Sequence, residues 1–260
     1  MVSVIAGGLQ LPDGAAGATA LTSGDRVLGG GLLLVALSII TSSGTLAARI
    51  SGARTGALCA GIVAMWIALR QGSPEGVILH ARSGEPLIWL AFESTIVGVC
   101  MPLLIWILYR ASDRNEDAGG SGGNGRSVST IGAVGAGAAA GLLGVQLFGV
   151  ESLKGQTIFA AFVSAILAGA ASRLVVSAHE DVAIRRATIA AMGGVALLAL
   201  AGPLAAMAAH GREVVEAAFA GRMIRVANPA PLDWLAGGLL GVPIGVWWAS
   251  AMMPPDRTER

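Results

Sequence analysis

Long runs of apolar residues recur along this chain, separated by short clusters of charge and glycine. Crossing the roughly 30 Å hydrocarbon core of a bilayer takes about 20 apolar residues in a helix, with about 17–25 tolerated. Seven stretches meet or approach that length: Val27–Ala48, Thr55–Leu69, Leu87–Tyr109, Ser127–Val150, Gly155–Ser172, Ala187–Ala209 and Trp234–Met253. Only the third carries a charge, Glu93. The second is the shortest, bounded by Arg54 and Arg70, whose side chains can snorkel to opposite interfaces so that a short helix still crosses. None alternates apolar with polar residues as a barrel strand would. Backbone in lipid must satisfy its own hydrogen bonds, so each run reads as a helix. The pattern predicts an all-α, polytopic transmembrane helix bundle of about seven spans, with six to eight as the range.

The segments between the runs divide the chain. Residues 1–26 read as a retained, weakly structured leader outside the membrane. Nothing basic precedes Arg26, and Gly7, Gly8, Pro12 and Gly14 interrupt any signal-like apolar run. Residues 27–110 form a three-helix half and residues 127–253 a four-helix half. Residues 111–126, rich in glycine and charge, form a flexible linker between them, and residues 254–260 are a short tail. The two halves show no sequence repeat of the kind that marks inverted-repeat transporters.

Composition sharpens the class. Of 260 residues 54% are hydrophobic and 13% charged, against about 25% charged in soluble domains. That excludes a soluble globular enzyme, a disordered chain and a nucleic-acid binder, and makes the lipid bilayer the first partner. Lys and Arg number 17 against 16 acidic residues, and Lys154 is the only lysine. The arginine, alanine and glycine bias suggests GC-rich coding, hence a bacterial inner membrane. With seven spans, ten of the Lys and Arg residues fall on the side of the C-terminus and seven on the side of the N-terminus. The positive-inside rule then places the N-terminus outside and the C-terminus inside. Cys59 and Cys100 lie within apolar runs and form no CxxC, and no motif indicates a cofactor or metal.

Helices in lipid gain little by burying leucine against one another; small residues that admit close backbone approach matter more. Gly237, Gly241 and Gly245 recur at four-residue spacing in the last span, and Gly137 and Gly141 in the fourth. These faces suit packing within the bundle or against another membrane subunit or a second copy. Most tryptophans fall near span ends, where amphipathic rings anchor at the headgroups.

Few polar groups could carry function. Glu93 lies about 9 Å into its span at 1.5 Å per residue, and an ionisable group at membrane depth is a functional candidate by default. Gln146 of the fourth span lies at a similar level, so a Glu93–Gln146 pair is expected, either structural or as a proton or cation site. Ser38, Thr41, Ser42, Ser43 and Thr45 crowd the inner half of the first span, where they can line a polar path or bond back to their own helix. Arg212 to Val226 is expected to form an interfacial amphipathic helix, with Val215, Phe219, Met223 and Val226 toward lipid. Asn228-Pro229-Ala230 resembles the aquaporin signature over three residues. Those channels are expected to carry it twice, and here it occurs once, before Pro231, so it does not place the chain among them.

Three functional classes follow. One is a non-catalytic subunit or scaffold of a membrane assembly, packing through its glycine faces. The second is a small proton- or cation-linked transporter or channel using Glu93. The third is a membrane enzyme acting on lipid or peptide, which would need its histidines and carboxylates to converge.

Overall fold

The computed structural model describes residues 19–113, 130–176 and 180–253. The greater part of the linker, most of the leader, the start of the expected fourth span and the tail lie outside the described residues. Every regular element described is helical. The principal helices are α1 (Arg26–Ala68), α2 (Pro74–Ala81), α3 (Glu85–Asp113), α4 (Thr130–Phe148), α5 (Lys154–Val175), α6 (Glu180–His210), α7 (Val214–Phe219) and α8 (Pro231–Met252). Six of these are long and apolar enough to cross a membrane: α1, α3, α4, α5, α6 and α8.

At 43 residues α1 is twice the length a bilayer needs. It is broken at Ser51 and Gly52, whose φ/ψ angles are not helical. Gly52 has a φ of +87°, a conformation that an L side chain would resist. Beyond the break the chain runs back on itself. A Cβ on Gly44 would lie 2.9 Å from that of Ala60, and one on Gly56 would lie 2.6 Å from that of Ala48, which is antiparallel contact about the turn. The two legs of α1 coincide with the first and second expected spans, the second packed antiparallel against the first.

The same ends of the helices then gather together. Arg26 meets Glu85, and Lys154 meets Asp233, at what we call the proximal end. Arg173 meets Ser250, and Arg185 meets Asp113, at the distal end. Two legs of α1 plus five further long helices make seven legs that run from end to end of the bundle among the described residues, with residues 26 and 252 at opposite ends. The protein is an integral, multi-pass membrane protein.

α8 is the hub. It packs on α5, α1, α6 and α3, while α4 lies at the periphery against α5 and α6. The glycine stripes turn inward. A Cβ on Gly237 would lie 2.6 Å from the Ala161 carbonyl carbon, and one on Gly241 would lie 2.5 Å from the Phe162 oxygen; one on Gly245 would collide with the Ile166 oxygen. From the other side, a Cβ on Gly169 would lie 2.5 Å from the Val242 oxygen. α5 and α8 thus approach backbone to backbone, as small residues permit in lipid. Gly137 and Gly141 instead make room on α4 for facing side chains: their Cβ atoms would meet Ser172 Oγ at 2.6 Å and Leu198 Cδ1 at 2.8 Å. Ser172 Oγ also donates to the Ala133 carbonyl at 2.8 Å, tying α5 to α4.

Arginines lie over the faces of Trp89, Trp247, Trp66 and Trp106, a cation–π arrangement at both ends of the bundle. Trp234 departs from the expected anchors: it is fully buried inside the bundle. The interfacial helix is also corrected. α7 covers only six residues, and Met223 and Val226 are buried rather than facing lipid. Met223 packs with Ile78, Leu87 and Val214 in a small second core at the proximal end. Phe219 alone of the four expected residues stays prominently exposed.

Candidate functional site

Glu93 is fully buried on α3. Glu85, Trp89 and Glu93 recur at four-residue spacing, which puts them on one helix stripe running inward from the proximal end. Arg26 occupies the outer part of that stripe. Its Nη2 donates to Glu85 Oε1 at 2.7 Å and its guanidinium lies 4.2 Å from the centre of the Trp89 ring. Two turns inward, Glu93 Oε1 accepts from Gln71 Nε2 at 3.1 Å, and Oε2 accepts from the Leu21 backbone N–H at 3.1 Å.

The leader therefore has a structural role in its described part. Ala20–Thr22 forms a single 3-10 turn, held by bonds between Thr19 and Thr22, and it sits on the first turn of α1 at Gly29. A Cβ at Gly29 would collide with the Ala20 carbonyl, so glycine is needed for this docking. Thr19 and Ala20 are buried, contrary to a weakly structured leader. On its outer side the same segment walls a pocket of about 610 Å³ lined by Thr22, Asp25, Arg26, His80, Glu85 and Trp89. The turn thus lies between a pocket of mixed polar and apolar lining at the proximal end and the buried Glu93 carboxyl.

Gln146 does not pair with Glu93. It is exposed on α4, and its backbone carbonyl accepts a bond from Arg225. Both residues lie toward the proximal end, as their positions in the spans imply. Direction around the helix is not implied by those positions, and α4 packs on α5 and α6, away from the Glu93 stripe.

A second buried charge lies at the same end. Asp233, on the first turn of α8, has no exposed side-chain surface. Its Oδ2 accepts from Ala230 N–H and from Thr157 Oγ1, both at 2.9 Å, and its Oδ1 lies 2.7 Å from Lys154 Nζ. The first bond caps α8, where an anion is also favoured by the helix dipole. Lys154 opens α5, a position where the dipole disfavours a cation, and Asp233 offsets this. Lys154 Nζ also reaches the Gly72 carbonyl at 3.4 Å. Gln71 and Gly72 are consecutive, so one short turn after the second leg of α1 touches both the Glu93 carboxyl and the Lys154 ammonium. Near by in the chain, Asn228 Nδ2 donates to the Gly149 carbonyl at 3.0 Å, which fixes the loop before α8.

The hydroxyls of the first span mostly bond within their own helix, while Ser38, Thr41 and Ser42 border an open groove between α1 and α3. Ser38, Thr41, Ser43 and Thr45 each bond to a carbonyl of their own helix. Among the described residues, no three of His, Cys, Asp or Glu come together as a metal site.

The ion pair could have been suspected from sequence. Lys154 is the only lysine, and Pro231-Leu232-Asp233 has the form of a helix start with proline at the first position and an acid at the third. A last span begun at Trp234 left Asp233 outside the membrane helix. No family model, curated protein or solved structure matches this chain.

Proposed function

We propose that the protein is a small proton- or cation-linked membrane transporter in which Glu93 is the ion-binding group. The observation that carries this is a fully buried carboxyl, at membrane depth, whose described partners, Gln71, the Thr19 side chain and the backbone of Ala20 and Leu21, are all neutral. An ionisable residue inside a membrane bundle is expensive to keep there and is a functional candidate by default. The Gln71 partner suits either charge state. Its amide now donates to Glu93, while its Oε1 is buried and has no hydrogen-bond partner. Turned over, the same amide would accept a hydrogen bond from the O–H of a neutral carboxyl. The 610 Å³ pocket on the far side of the leader turn supplies an approach from the surface. Pro102, Pro203 and Pro243 interrupt α3, α6 and α8, the helices around the core, and each removes a backbone donor where bending is then easier.

Counted along the whole sequence, ten of the 17 Lys and Arg residues fall on the side of the distal end and seven on the proximal side, which supports placing the distal end on the inner face of a bacterial inner membrane with the leader outside. A second reading, a non-catalytic subunit of a membrane assembly, is favoured by the scarcity of polar groups midway along the bundle. It has lost its first ground, because the glycine faces are occupied within the chain.

The test is proton flux into proteoliposomes carrying an entrapped pH dye, under an imposed potassium diffusion potential. The intact chain is expected to conduct protons, Glu93→Gln to lose that flux while remaining folded, and Glu93→Asp to retain part of it. Equal flux with and without the carboxyl would remove Glu93 from the mechanism. A chain that conducts nothing and purifies with stoichiometric companions would favour the subunit reading.

A further inference from the structure

The distal end contains a pocket of about 210 Å³ enclosed between the second leg of α1 and helices α3, α6 and α8. Its floor is apolar and buried, formed by Ile105, Leu108 and Pro243 among others. Its mouth is formed by Arg54 and Trp247, both exposed, with the guanidinium 4.7 Å from the ring centre. Deeper in, the Tyr109 hydroxyl and Thr188 Oγ1 lie 3.3 Å apart, and Thr188 Oγ1 also donates to the Ile184 carbonyl.

We infer that this pocket holds one anionic phospholipid of the surrounding leaflet, with its phosphate on Arg54 and the start of an acyl chain over the apolar floor. The charge argument comes first. Stacking on Trp247 occupies one face of the guanidinium and leaves its N–H edges free, and no carboxylate pairs with it among the described residues. A planar fork of donors on an aromatic ring at headgroup level is matched by phosphate.

The floor argues for hydrocarbon beneath that head. Water needs two to four polar partners to occupy a buried site. Here the two hydroxyls already bond to each other, and the remaining floor offers carbon. An acyl chain meets that surface without desolvating anything, and in a bilayer it is the solvent already present. The pocket is smaller than those of drug-sized ligands, so it takes the head-proximal part of one chain and not a whole lipid. This site lies at the opposite end of the bundle from Glu93, and its test is independent of transport.

The experiment is native mass spectrometry of the full chain released from mixed micelles that contain equal phosphatidylglycerol and phosphatidylcholine of identical acyl chains. One retained lipid is expected, with phosphatidylglycerol preferred by about tenfold, because both heads offer the phosphate but only phosphatidylcholine brings a second cation against Arg54. Arg54→Gln should erase the headgroup preference, and Arg54→Lys should restore part of it. Ala57→Leu, at a buried position lining the pocket, should lower retention of both lipids. Arg186→Gln, exposed at the same end and outside the pocket lining, should change nothing. No preference in the intact chain, or an equal loss on substituting Arg186, would overturn the assignment, since the second marks diffuse attraction by basic residues.

Discussion

Leucine in place of Gly241 is expected to abolish the folded bundle. Even a Cβ there would lie 2.5 Å from the Phe162 oxygen, 2.9 Å from Ala165 Cβ and 3.0 Å from the Ile166 nitrogen. Two of these three are backbone atoms of a facing helix and cannot step aside as a side-chain end would. Overpacking by a single carbon costs about 1–3 kcal/mol, and leucine adds three more to a contact already closed. The helices involved are α5 and α8, the closest pair in the structure and the hub of the rest. Size-exclusion profiles and thermal midpoints in mild detergent read the effect. Gly241→Leu should give aggregated or absent protein, and Gly241→Ala a lowered midpoint. Gly135→Leu should stay within about 0.5 kcal/mol of the parent, because a Cβ at Gly135 meets nothing within 4 Å. The outcome also separates two roles for the glycine stripe. Had it served a partner, Gly241→Leu would shed that partner and leave a stable monomer.

Removing the Lys154 ammonium should be nearly as damaging. Lys154→Met leaves the fully buried Asp233 carboxylate facing Thr157 and Ala230 alone. Breaking one partner of a buried ion pair costs about 3–5 kcal/mol, while replacing both is often close to neutral. The expected pattern in thermal unfolding is therefore a severe loss for Lys154→Met and recovery of most of it in Lys154→Met/Asp233→Asn. An asparagine keeps an acceptor for the Ala230 N–H that caps α8. Coupling between the two substitutions measures the pair directly. Additive effects would mean that Lys154 holds α5 through its methylenes and the Gly72 carbonyl, not through Asp233.

Much of the fold was legible in the sequence because lipid imposes a simple rule. Uncharged runs of crossing length have few alternatives to helix, and arginines at positions 49, 54 and 70 already framed a short second span. The Ser51–Gly52 reversal follows from the same constraint, since two apolar runs separated by a few polar residues must turn at a surface. The glycine periodicities were legible too, although repetition alone does not say whether the facing surface belongs to the same chain. The functional residues were harder to read, for a geometric reason. Position in a span gives depth, but which helices are neighbours is a property of the assembled bundle. Glu93 was visible as an isolated charge. Its partners were not, since they are a glutamine in a loop and a turn of the leader from Thr19 to Leu21, none of which has a sequence signature. Asp233 and Lys154 sit at helix starts, where charge is ordinary, and only their mutual burial distinguishes them.

The architecture rests on seven crossings, with the Ser51–Gly52 turn at one surface and the loop between α4 and α5 at the other. Cysteine accessibility in sealed vesicles of one orientation tests this most directly. Cys59 and Cys100 are first replaced by alanine in the full chain, and cysteine is then introduced singly at Ser51 or Glu151, both exposed. A membrane-impermeant maleimide should label one of these sites from outside and the other only after the vesicles are opened. Labelling of both sites from the same side would contradict the seven-span bundle.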